Sequence, residues 1–118
     1  MIRYRKLNEN LNDSLHWNTS YSGDTKRLSA LGILEDDIKL EFLIFIHEEE
    51  ECYSECTVSF KGKMPIASIE IGDDEDSDCE EVSIGLCEEL FNRLRNISNV
   101  DRKTVVREAK RLGWESNF

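Results

Sequence analysis

The sequence predicts an α+β fold, and three observations carry the prediction. Apolar residues alternate with a period of two between residues 38 and 71 and then recur every three or four residues between 82 and 112. Turn-forming residues separate these runs rather than interrupt them. The strand-like runs are joined by short connections, so successive strands are antiparallel neighbours, and the two helices that follow pack together on one face of the sheet. The chain has 118 residues, the length of a single domain, 1–118.

The first 22 residues have the weakest pattern. Ile2–Leu7 reads as a short strand, and the Asn- and Ser-rich stretch Asn8–Ser22 as a loop that folds back or an edge strand around Leu15–Tyr21. Asp24–Gly32 reads as a short N-terminal helix, with Asp24 as N-cap, Leu28 and Leu31 three apart, and Gly32 as the stop. From Ile38 a three-strand meander begins. In the first strand, about 38–47, Ile38, Leu40, Phe42, Ile44 and Ile46 alternate with residues that include Leu43 and Phe45; the second half is apolar on both faces, as in a central strand covered on both sides. The second strand, about 53–61, places Cys56, Val58 and Phe60 on one face. Lys61–Pro65 is a turn in which Gly62 tolerates positive φ, and the third strand, about 66–71, carries Ala67, Ile69 and Ile71 on one side. Ser77 and Glu80 then have the capping-box spacing, and Val82, Leu86, Leu90, Leu94 and Ile97 form the stripe of a helix over about 80–97. A last helix, about 101–112, is capped by Asp101 and shows Val105, Ala109 and Leu112 on its apolar side; Gly113 is placed as its left-handed C′ residue and Trp114 as the hydrophobic partner that follows.

Charge is the most informative chemical feature. The net charge is −10, but residues 35–81 hold 17 acids and three bases (Lys39, Lys61, Lys63), a net −14, against +4 for the rest. Two runs are densest: Glu48, Glu49, Glu50 and Glu51, and then Asp73, Asp74, Glu75, Asp76 and Asp78, followed by Glu80 and Glu81. In the meander both runs are connections at the same end of the sheet, where neighbouring strands lie about 4.8 Å apart. Their carboxylates then fall within a Debye length of about 8 Å at physiological salt. Like charges held so close oppose folding, and a positively charged partner recovers that cost.

Other chemistry finds little support. The two histidines, His16 and His47, belong to no catalytic motif, and there is no nucleophile elbow, phosphate-binding glycine loop or paired-histidine zinc motif, so no enzyme is expected. Among Cys52, Cys56, Cys79 and Cys87 only the first two have zinc-ligand spacing, with His47 five positions upstream; buried, reduced thiols are expected instead, with Cys56 and Cys87 on apolar faces. Asp73–Asp78 lacks the glycine of a calcium loop. No metal or cofactor is therefore expected. No apolar run approaches a membrane span, and Met1–Leu7 has no apolar segment behind its basic residues, so the expected location is the cytoplasm.

Asn99–Gly113 resembles the recognition helix of a helix-turn-helix, with Arg102, Lys103, Arg107, Lys110 and Arg111 as a basic face; this implies DNA binding through the 101–112 helix. The turn before it, Asn96–Val100, lacks the usual glycine, and a net charge of −10 opposes phosphate, so direct nucleic-acid binding is not expected. In composition, size and lack of a catalytic motif the chain is similar to bacterial immunity proteins, the antidotes to nuclease toxins, and to phage-encoded inhibitors of restriction or CRISPR nucleases that mimic nucleic acid. That similarity of class implies a basic protein partner, foremost a toxin nuclease domain, occluded by Glu48–Glu51, Tyr53, Asp73, Asp74, Glu75, Asp76 and Asp78. Tyr53, Trp17 and Tyr21 are the aromatic residues available as anchors beside the charge. The immunity role leads because the acid is concentrated at one end rather than spread along a surface.

Overall fold

The computed structural model describes residues 15–34, 38–47, 53–62, 64–72 and 79–116. These form one antiparallel sheet whose strands lie side by side in chain order: β1 (Asn18–Ser22), β2 (Thr25–Ile33), β3 (Lys39–His47), β4 (Tyr53–Phe60), β5 (Pro65–Ile71) and β6 (Glu115–Ser116). Two helices cover one face. The first, α1 (Cys79–Arg95), packs on β3 and β4, and the second, α2 (Arg102–Arg111), packs on β5, β6 and α1. The expected meander and both C-terminal helices are present, within a sheet of more strands than the alternating pattern indicates.

β3 shows why the sheet holds together. Leu40, Phe42, Ile44 and Ile46 point toward the helices and are at most 1% exposed; burying each contributes about 2 kcal/mol relative to leaving it in water. Their partners across the ladder, Val58 opposite Phe42 and Cys56 opposite Ile44, are equally buried. Phe91 of α1 meets the edge of Phe42 at 6.4 Å between ring centroids, a favourable edge-to-face arrangement. Leu43 and Phe45, on the opposite face, are only half-buried, and both described helices lie on the other side. β3 is central in the sheet, yet the described elements do not sandwich it.

The expected helix at Asp24–Gly32 is strand β2. Its buried side is the alternating set Leu28, Ala30 and Gly32, while Leu31 and Ile33 are 51% and 55% exposed on the other face. Two apolar residues on the solvent side blur the alternation and produce the misleading Leu28–Leu31 spacing. β2 pairs with β3 along its whole length, from Thr25 opposite His47 to Ile33 opposite Lys39, and that ladder outweighs local helix propensity. Asp24 sits in a two-residue hairpin turn after Gly23, whose φ of 62° suits the first position of a type II′ turn. The expectation of an edge strand near Leu15–Tyr21 corresponds to β1, all of it exposed. Gly32 is a point of close approach, not a helix stop: a Cβ there would lie 2.7 Å from Cε1 of Phe91.

The helices keep their expected ends but not every expected face. In α1 the residues turned inward are Ser83, Ile84, Cys87, Leu90, Phe91 and Leu94, whereas Val82 is exposed and Leu86 half-buried. The buried side includes Ser83 and Glu88, and these polar residues hide the true stripe from a purely apolar count. In α2, Asp101 caps the helix by accepting hydrogen bonds from the Thr104 backbone N–H (2.8 Å) and hydroxyl (2.7 Å). At the other end Gly113 has φ 96°, its N–H donates to Lys110 (3.1 Å), and the Trp114 N–H donates to Ala109 (2.9 Å). This is the Schellman pair of bonds, with Trp114 buried as its hydrophobic partner. Ile2–Leu7 and Ser77 lie outside the described residues.

The cysteines divide. Cys56 and Cys87 are free, buried thiols in the core between β4 and α1. Cys79, at the first position of α1, is disulfide-bonded, which corrects the expectation of four reduced thiols. The lack of an export pattern bears on compartment; whether two sulfurs come within bonding distance is decided by the fold. Beside it, Ser83 donates to the Cys79 carbonyl and pairs with Ser54 of β4, both at 2.6 Å, so the first turn of α1 is tied to the sheet through buried hydroxyls.

Candidate functional site at the acidic end of the sheet

His47 at the end of β3 is directly opposite Tyr53 at the start of β4, and Ser54 is opposite Ile71 at the end of β5. The Glu48–Glu51 run therefore departs beside the strand end from which Asp73, Asp74, Glu75, Asp76 and Asp78 follow. Those nine residues lie outside the described residues; their points of attachment do not. The β1–β2 turn at Gly23–Asp24 reaches the same end, because Thr25 is opposite His47.

Tyr53 is the one expected contact residue within the described structure. It stands half-buried on the sheet face away from the helices, neither in the core nor fully free. Its ring stacks on His47 with centroids 5.6 Å apart, and the His47 Nδ1 is 3.2 Å from the Thr25 hydroxyl. Its own hydroxyl donates to Glu70. Glu70 and Glu55 are directly opposite each other on β5 and β4, a like-charge pair that the tyrosine proton relieves. The hydrogen bond to Glu70, with desolvation and the negative charges of Glu70 and Glu55, pushes the Tyr53 pKa up to about 12. The phenol therefore stays neutral and donating across the physiological range. Trp17 is half-buried against the core, and Tyr21 is exposed on β1. On the helix side, Lys26 pairs with Glu80 at 2.6 Å, so part of the acid following the second run is neutralised internally.

The zinc reading that includes His47 and Cys56 loses its geometry. His47 faces the side away from the helices while Cys56 points into the core, so the two do not converge on one ion. Among the described residues no group of three or more His, Cys, Asp or Glu side chains gathers into a metal site. The Asp73–Asp78 run lies outside those residues.

A second charged feature occupies the junction of the helices. Glu108 of α2 is only 4% exposed and is shared by three arginines. Arg93 of α1 reaches one carboxylate oxygen through both Nε and Nη2 at 3.1 Å, and Arg107 and Arg111 reach the other at 3.1 and 3.2 Å. Burial pushes the Glu108 carboxyl up, but the bonds from Arg107 and Arg93 and the charge of Arg111 outweigh it, and its pKa lies below the ordinary value. Arg107 and Arg111 follow the helical spacing visible in the sequence; Arg93 is contributed by packing alone.

No family model, curated protein or solved structure matches the chain. Among the described residues no helix is long and apolar enough to cross a membrane. The chemistry of the surface is then the guide to a partner.

Proposed function

We propose that the chain is a binding protein that docks a basic protein against the acidic end of its sheet, and that its role is that of an immunity protein blocking a nuclease-type toxin by occlusion. The observation that supports this reading most directly is the register. His47–Tyr53 and Ser54–Ile71 are neighbouring pairs, so the strand ends from which the Glu48–Glu51 and Asp73–Asp78 runs continue lie at the same end of the sheet. Beside them lies an aromatic platform, His47 stacked on Tyr53, whose orientation is held by Glu70 and Thr25. Charge supplies attraction and fast association, and a fixed ring supplies the desolvated contact that anchors it. A nuclease cleft is positive because it holds phosphate, and it is the natural counterpart of such a surface. No covalent step is required.

Co-expression with the product of the adjacent gene tests this. The expected result is rescue of growth and a co-purifying complex whose affinity falls steeply with salt. Replacing Glu48–Glu51 by glutamine is expected to weaken the complex at least tenfold, and Tyr53→Ala to speed its dissociation. The proposal fails if rescue and binding persist with both acidic runs neutralised.

A further inference from the structure

We infer that the arginine cluster around Glu108 is a phosphate-binding surface that takes the backbone of nucleic acid. One guanidinium neutralises one carboxylate. Arg93 does so with two bonds to the same oxygen, yet Arg107 and Arg111 also converge on Glu108, leaving two positive charges in excess at one point. All three side chains remain 42–60% exposed, although the carboxylate beneath them is buried. Each guanidinium has five donors, and the bonds to Glu108 use one or two of them on side chains that remain partly exposed. A buried acceptor that orients several partly exposed arginines lowers the entropy a second oxyanion would otherwise have to overcome.

The surroundings extend the same charge. Residues 93–111 contain seven bases and two acids. One of those acids is Glu108; the other, Asp101, is engaged in capping α2. Lys103 and Lys110 are exposed on α2 beside the cluster. The three that meet at Glu108 are arginines, whose planar fork matches phosphate oxygens. A line of such groups along a helix face fits a repeating phosphodiester, and backbone contacts of this kind carry no base specificity. The net charge of −10 does not forbid it. Arg93 lies about 21 Å along α1 from Cys79, where the acidic end begins, more than two Debye lengths at physiological salt. Neither proposal rests on the other.

Fluorescence anisotropy with a labelled DNA duplex, from 50 to 200 mM salt, tests the inference. Three phosphate contacts predict a loss of affinity of about 40-fold over that range. Lys110→Gln, outside the Glu108 pairing, and Arg107→Gln, which leaves Glu108 two arginines, are each expected to reduce the salt slope by about one. Arg27→Gln removes the same charge from β2 and is expected to change nothing, as is neutralisation of Glu48–Glu51. The inference is overturned by absence of duplex binding at 50 mM salt. It is also overturned if Arg27→Gln weakens binding as much as Lys110→Gln, or if polyglutamate binds and duplex does not, which would make the partner an acidic protein.

Discussion

Tyr53 shows how one side chain connects sheet register to surface chemistry. Its hydroxyl is positioned by the β4–β5 ladder, and the carboxylate it meets raises its pKa to about 12. In a background lacking the other two tyrosines, Tyr4→Phe and Tyr21→Phe, alkaline titration of the phenolate absorbance is expected to give a midpoint near that value, and Glu70→Gln to return it toward the ordinary value of about 10. The folded pKa is the higher one, so the neutral phenol stabilises the fold. That contribution is complete below the unfolded pKa of about 10 and disappears as pH rises toward 12. Gly32 is a second single-residue constraint. A methyl there intrudes on the Phe91 ring, itself buried against Phe42, so Gly32→Ala is expected to cost about 1–3 kcal/mol in urea unfolding.

At the scale of elements, an ion network centred on Glu108 joins α1 to α2 in addition to the apolar core that both helices share. The Glu108 carboxyl titrates below its ordinary range, so its contribution is present above the unfolded pKa of about 4.3 and is lost as pH falls through the lower folded value. Stability of the wild type is expected to fall over that acid window, and Glu108→Gln to flatten the dependence while costing about 2 kcal/mol at neutral pH, less than a fully buried pair because the arginines reach solvent. Thermal melts across the pH range measure both. The β1–β2 hairpin shows the opposite balance. Nothing in Asp24–Gly32 favours a strand strongly, and the element exists because β3 offers nine register partners to it. Its turn is Gly23–Asp24, and Asp24 reads in the sequence as a helix cap.

For the whole molecule, the strands that precede the two acidic runs stop at the same end of the sheet, and three partly exposed arginines gather where the helices meet. Cys79 lies where the sheet's acidic end meets α1, and its disulfide tethers the helix start. Cys79→Ser, or reduction of the wild type, is expected to lower stability by about 2–4 kcal/mol. The melting temperature with and without reductant reads this, and the Cys79→Ser protein should show no reductant dependence.

β3, β4, β5 and both helices were legible because their patterns are local: a period of two or of 3.6, an Asp101 cap and a Gly113 stop each depend on residues close in the chain. The common end of the strands that precede the two acidic runs was legible for the same reason, since a meander with short turns has one topology. The pairing of Arg93 with Glu108, the Tyr53 bond to Glu70, the disulfide at Cys79 and the strand identity of β2 were not. Each depends on which distant surfaces meet, and a burial pattern that includes Ser83, Glu88 and Glu108 shows its order only after the helices have docked. The charge at residues 35–81 is thus a property of composition; the orientation of Tyr53 by Glu70 and the gathering of three arginines on Glu108 are products of packing.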